Sequence, residues 1–189
     1  MAEFQDRQKW DLPAWPEMYG KLRELQMMIG LSPPGPQLNM MTFTITSLAA
    51  GCRHCQAHGA YGLDKMGVPL EKIQALWEFE TSDLFDDRER AALRLGLAAG
   101  VSPSAVTAEH HEDLRKNFSD EEARALIGMI ALSGFMNRYN DTIAVVTDQE
   151  SRDWAETHLG PLGWDIGKHA GSADEQREGP PKLEPPSGS

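Results

Sequence analysis

Gly51-Cys52-Arg53-His54-Cys55-Gln56-Ala57-His58 is the stretch around which the rest of the chain reads. The two cysteines are three residues apart and there are no others. Three residues along a helix is close to one turn, so both sulfurs fall on one face with Cβ atoms roughly 5–6 Å apart. A modest local adjustment lets such a pair pass between dithiol and disulfide. Gly51 marks a joint, and the helix it introduces begins near Cys52. Unpaired amides and the helix dipole favour a thiolate there. By that reasoning alone Cys52, nearer the helix start, is the better thiolate. A thiolate attacks a peroxide or a disulfide, and a second cysteine then closes the disulfide before overoxidation.

Other chemistries for the pair are weaker. Haem attachment needs histidine directly after the second cysteine, where Gln56 stands. Zinc held by Cys52, Cys55 and His58 would lack a second ligand pair at the usual spacing, so no metal is assigned. A thioredoxin-type domain would place the motif beside a βαβ pattern, and none flanks it. The bland alternative is a pair of inert buried cysteines. His58 shares a face with Cys55 one turn on and is the candidate base. His54 is adjacent to Cys55 and points from a different helix face. Tyr61 lies one turn beyond His58 and can relay or hydrogen-bond. No carboxylate within the motif can orient His58.

Outward from the motif the pattern is helical nearly throughout. Trp15, Met18, Leu22, Leu25 and Ile29 recur in steps of three and four, with Asp11 as cap and Pro13 in the first turn. The run Leu31-Ser-Pro-Pro-Gly-Pro36 ends that helix. A second is expected from Gln37 to Ala50, with a strand in competition because Thr42, Thr44, Ile45 and Thr46 are β-branched. The cysteine helix runs to Met66, and Pro69 opens a fourth. Asp86 with Glu89 and Ser119 with Glu122 have capping-box spacing and open helices to Gly100 and to about Val146, the latter with Leu126, Ile127, Ile130 and Tyr139 toward the core. Thr107 caps another, ending near Phe118. The expectation is one all-α domain over residues 10–170, a short N-terminal tail at 1–9, and a disordered acidic tail rich in proline and glycine at 171–189.

The net charge of −11 disfavours nucleic acid and anionic membrane surfaces as partners. No apolar run approaches the ~20 residues of a membrane span, and the polar start lacks the layout of a signal peptide. A cytoplasmic location is expected.

The run Ala49-Ala-Gly-Cys52-Arg-His-Cys55-Gln-Ala-His58, followed by Leu63-Asp-Lys-Met-Gly67, resembles the core of the alkyl hydroperoxidase D (AhpD) and carboxymuconolactone decarboxylase-like family. Trp77-Glu-Phe-Glu80, Asp87-Arg-Glu-Arg-Ala-Ala-Leu93, Gly134-Phe-Met-Asn-Arg-Tyr-Asn-Asp-Thr142 and Gly163-Trp-Asp-Ile-Gly-Lys-His169 extend the likeness. The resemblance implies an AhpD-like helical bundle that assembles as a homo-oligomer, a trimer or hexamer. It implies thiol peroxidase or thiol–disulfide exchange activity without a cofactor, on a hydroperoxide or other small substrate. A thiol reductant protein or a small dithiol would reset the pair. It also implies that Cys55 attacks and Cys52 resolves, against the dipole reasoning, with His54 matching a motif histidine.

Two relay positions depart from that pattern. A glutamate twelve residues before the first cysteine is replaced by Met40, and a histidine four residues after the second by Gly59. In a related subgroup histidines stand three and six residues after the second cysteine; His58 meets the first and Tyr61 replaces the other. Lactone decarboxylating members generally lack the cysteine pair. Two alternatives follow: a catalytically weak oligomeric stress-response or interaction protein, or a non-redox enzyme reusing the pocket.

Overall fold

The computed structural model describes residue 4 and residues 6–176 of the 189-residue chain. The described residues form eight α-helices: α1 (Pro16–Gly30), α2 (Pro36–Ala50), α3 (Arg53–Lys65), α4 (Leu70–Gln74), α5 (Asp87–Gly100), α6 (Ala108–Asn117), α7 (Asp120–Ile143) and α8 (Gln149–His158), joined by loops and short 3₁₀ turns. Among the described residues there is no strand, and no helix is long and apolar enough to cross a membrane.

α2 is the centre of the bundle, with α3, α5 and α7 packed around it. Its β-branched content does not turn it into a strand, for a local reason. Thr42, Thr44, Thr46 and Ser47 each donate a side-chain hydrogen bond to the carbonyl four residues back, at 2.7–2.9 Å. The hydroxyls are thereby satisfied inside the helix itself, so burial costs them little. Small residues let neighbours close in. A Cβ on Gly96 of α5 would sit 2.7 Å from Ile45 Cγ2, so α5 crosses α2 at glycine distance. The core is continuous around Ile45, Leu63, Ile73, Leu76, Leu93 and Leu126, all essentially inaccessible.

Helix ends follow the expected chemistry at three places. Asp86 and Ser119 each accept from the backbone amide three residues on, and Glu89 and Glu122 return the bond. Thr107 caps α6 with His110 in the reciprocal role.

Elsewhere the structure corrects the sequence reading. Asp11 does not cap α1; it precedes a 3₁₀ turn at Leu12–Ala14, and α1 starts at Pro16. Trp15 and Leu25 stand exposed, while Leu22 is buried. On α7, Ile127 is exposed as well. That helix stops at Ile143, where Ala144 turns left-handed at φ 51°. Helix α8 was not expected, because its ten residues carry almost no apolar stripe beyond Trp154 and Ala155.

Both tails contribute contacts. Arg7 is largely buried and bonds the carbonyls of Ala144 (3.1 Å) and Lys168 (3.2 Å) and the Glu175 carboxylate. Glu175 ends a 3₁₀ turn at Ala173–Glu175, inside the stretch expected to be disordered. Residues 177–189 of that expected tail lie outside the described residues.

Candidate thiol site

The chain leaves α2 through Gly51, left-handed at φ 75° as a non-glycine residue rarely is, and enters α3 at Cys52. Cys52 is the N-cap: its sulfur accepts the amide of Cys55 at 3.4 Å. The two sulfurs are 2.8 Å apart as free thiols. So the predicted pair does meet.

Both cysteines are buried, but not equivalently. Cys55 lies on the wall of a cavity of about 1000 Å³, and Cys52 sits behind it. His54, His58 and Tyr61 line the same cavity. Burial, followed by the Cys52 sulfur, pushes the Cys55 thiol well above its ordinary pKa. Asn140 Nδ2 reaches Cys55 Sγ at 3.5 Å and acts the other way, as a donor to developing thiolate charge. Cys55 therefore needs a base to become nucleophilic.

The base has a partner that the motif does not contain. His58 Nε2 is 2.7 Å from Oδ2 of Asp148, whose side chain is almost fully buried. The carboxylate lies off the ring N–H direction, so the contact is close without being an aligned hydrogen bond. Asp148 is also the N-cap of α8, its Oδ1 accepting the Ser151 amide at 3.0 Å. Burial raises its carboxyl, but His58 and Ser151 outweigh that and hold it below the ordinary aspartate value. A buried carboxylate this close to one imidazole nitrogen favours the proton there, which leaves the other nitrogen as the acceptor.

Met40 and Gly59, the positions that depart from the family pattern, have clear surroundings. Met40 lines the cavity with a thioether where the resembled family carries a carboxylate. Gly59 faces α2 so closely that a Cβ would lie 3.1 Å from Thr44 Cβ and 3.3 Å from Phe43 Cδ1, and closer still to Thr44 Oγ1. No histidine fits there.

His54, next to Cys55 in sequence, lines the same cavity. Its ring centroid lies 4.3 Å from that of His58, and its Nδ1 is 3.1 Å from Thr147 Oγ1. His169 backs it at 5.9 Å, fully buried, with Nδ1 2.7 Å from the Val145 carbonyl. Burial holds His169 below the ordinary histidine value. Tyr61 turns away from the thiols: its hydroxyl donates to Glu150 Oε2 at 3.0 Å, and Lys65 Nζ sits 4.8 Å from its ring centre. Among the described residues no cluster of His, Cys, Asp and Glu has the geometry to hold a metal ion.

No family model matches the chain, and no curated protein matches it. Solved structures do. The debrominase Bmp8 without ligand is 29% identical, with 75% of this chain and 76% of that one covered and a TM-score of 0.70. A cysteine-to-alanine variant of Bmp8 in complex with 2,3,4-tribromopyrrole gives 28% identity, 77% and 79% coverage and a TM-score of 0.72. A protein of unknown function from Agrobacterium tumefaciens, described as a candidate AhpD antioxidant defence protein, covers 75% of this chain and 95% of its own. Its TM-score is 0.65 at 20% identity, which is a likeness of fold.

The fold is AhpD-like. The AhpD-like bundle puts the cysteine helix against α2 and α7, and in this chain α8 closes over it. Sequence reasoning missed Asp148 and His169. The signal within reach for Asp148 was an aspartate three residues before a serine at the start of a polar helix.

Proposed function

We propose that the chain is a thiol-dependent oxidoreductase of the peroxidase type, with Cys55 as nucleophile and Cys52 as resolving thiol. What carries the reading is the placement of Cys55 on a cavity wall, with Cys52 in contact behind it and His58–Asp148 alongside. His58 takes the Cys55 proton, which is the step that a raised thiol pKa makes necessary. The thiolate attacks the outer peroxide oxygen; the O–O bond breaks, the alkoxide leaves and takes a proton from His58, and Cys55 becomes a sulfenic acid. Cys52 displaces water from it to form the disulfide, and an external dithiol returns both electrons. His54 and Asn140 hold the ring and the sulfur in place. Tyr61, bound to Glu150, serves the cavity wall rather than the proton path. Reduced surroundings such as the cytoplasm suit a pair kept as thiols.

The likeness to Bmp8 favours a second substrate for the same pair, a brominated aromatic. Attack of the Cys55 thiolate on bromine, with a proton delivered to carbon, would give a sulfenyl bromide. Cys52 would then expel bromide and form the same disulfide.

Stopped-flow thiol oxidation separates these readings, using alkyl hydroperoxides and a bromopyrrole. Wild type should form the disulfide with one of the two classes. Cys52→Ser should stop at a sulfenic acid trapped by dimedone, and Cys55→Ser should not react. Full peroxide and bromopyrrole turnover by the double serine variant would remove the thiol reading and leave the non-redox one.

A further inference from the structure

The cavity is lined by both signs of charge. Its acids are Asp11, beside Val145 and Val146, and Asp148, beside His58. Its cations, Arg23 and Lys65, come from α1 and the last turn of α3. Ten residues separate Cys55 from Lys65 on α3, a rise of about 15 Å. The wall between is soft and apolar, with Met27, Met40 and Phe43 among its residues, and unbranched thioethers adapt to irregular apolar ligands.

The two cations are poorly occupied by protein. The chain has 29 acidic residues against 18 basic ones. Even so, neither Arg23 nor Lys65 forms an ion pair among the described residues. Arg23 Nη1 donates to Gln26 at 3.1 Å, while its Nε is buried with no partner. Lys65 rests over the Tyr61 ring, with Asp64 and Glu150 in its wider surroundings. A guanidinium with a buried, unused donor is a natural seat for a carboxylate, which it binds by a charge-assisted fork.

We propose that the substrate is an amphipathic carboxylate: its carboxylate sits at Arg23 and Lys65, its apolar body lies along the methionine wall, and its reacting end reaches Cys55. This rests on the thiol reading for the identity of the reacting end, but the binding half does not. Dodecanoate, which carries no oxidant, tests the binding half by titration calorimetry against dodecan-1-ol. Dodecanoate should bind wild type about tenfold more tightly, close to 1.4 kcal/mol. Arg23→Gln with Lys65→Gln should abolish that preference and leave dodecan-1-ol unchanged. Arg23→Lys, which keeps the charge and loses the fork, should retain part of it. Equal affinity for acid and alcohol in wild type overturns the proposal, and so does a preference that survives in the folded double variant. A long-chain hydroperoxide bearing a free carboxylate, compared with its methyl ester, tests the reacting half through kcat/KM. If neither oxidises Cys55 while dodecanoate still binds at Arg23, the thiol reading fails alone. If both oxidise Cys55 equally and dodecanoate shows no preference, the carboxylate site fails alone.

Discussion

At the scale of the residue, Asp148 has two tasks that substitution can separate. It caps α8 and it faces His58. Asparagine is as good an N-cap as aspartate but carries no charge. Asp148→Asn should therefore keep the α8 cap, lower the urea midpoint only by what the charge beside His58 contributes, and slow Cys55 oxidation by about tenfold to a hundredfold, part of what a positioned base contributes. An equal loss of stability and rate would make Asp148 merely structural. Gly59 shows the opposite case, a residue whose role is to be small. Gly59→Ala should cost about 1–3 kcal/mol, as overpacking does, because Thr44 cannot withdraw from a helix packed on three sides. Thr44→Ala in the same chain should recover part of that, and a double-mutant cycle by denaturant unfolding reads the coupling.

At the scale of the element, the segment from Ala144 to Asp148 decides the site's shape. α7 ends on a left-handed alanine, and the next residues carry Val145, Thr147 and Asp148 to the histidines. This turn is held from both chain ends. Thr147 N–H donates to the His169 carbonyl at 3.0 Å, and Arg7 binds the Ala144 carbonyl. The Arg7 guanidinium, with the Ser172 amide, lowers the Glu175 carboxyl to about 2. A depressed carboxyl stabilises the fold above its unfolded pKa, and the contribution is lost as pH falls through the folded one. The clamp should thus be complete above about pH 4.5 and fade toward pH 2. The urea midpoint difference between wild type and Glu175→Gln should shrink over that window. A difference that stays constant from pH 6 to pH 2 would show that the ion pair holds nothing.

At the scale of the whole molecule, the apolar surface is concentrated at the start of the chain. Trp10, Trp15, Met28 and Leu31 are each more than half exposed, at 58%, 57%, 63% and 68%. Such surface is covered by association more often than left in water. The homo-oligomer implied by the family resemblance remains a proposal, and the segment from Trp10 to Leu31 is where it would form. Light scattering should return a multiple of the chain mass, and Met28→Glu should lower it. A wild-type monomer at every concentration would end that proposal. The negative surface bears on ligands as well: an anionic substrate must find a local positive seat, and among the cavity's residues Arg23 and Lys65 offer one.

The sequence by itself determined the parts whose physics is local. Capping boxes at Asp86 and Ser119, the break after Leu31 and the one-turn spacing of Cys52, Cys55 and His58 depend on residues within a few positions of each other. That range was enough for an all-helical bundle and a thiol pair on one face. It was not enough for Asp148, which lies 90 residues from His58 and opens a helix with hardly any apolar stripe. Nor could spacing alone show that Gly59 is fixed by Thr44, that Cys55 rather than Cys52 meets the cavity, or that Tyr61 turns to Glu150. These depend on which helix faces pack together, and packing is settled by burial and close contact between segments distant in the chain.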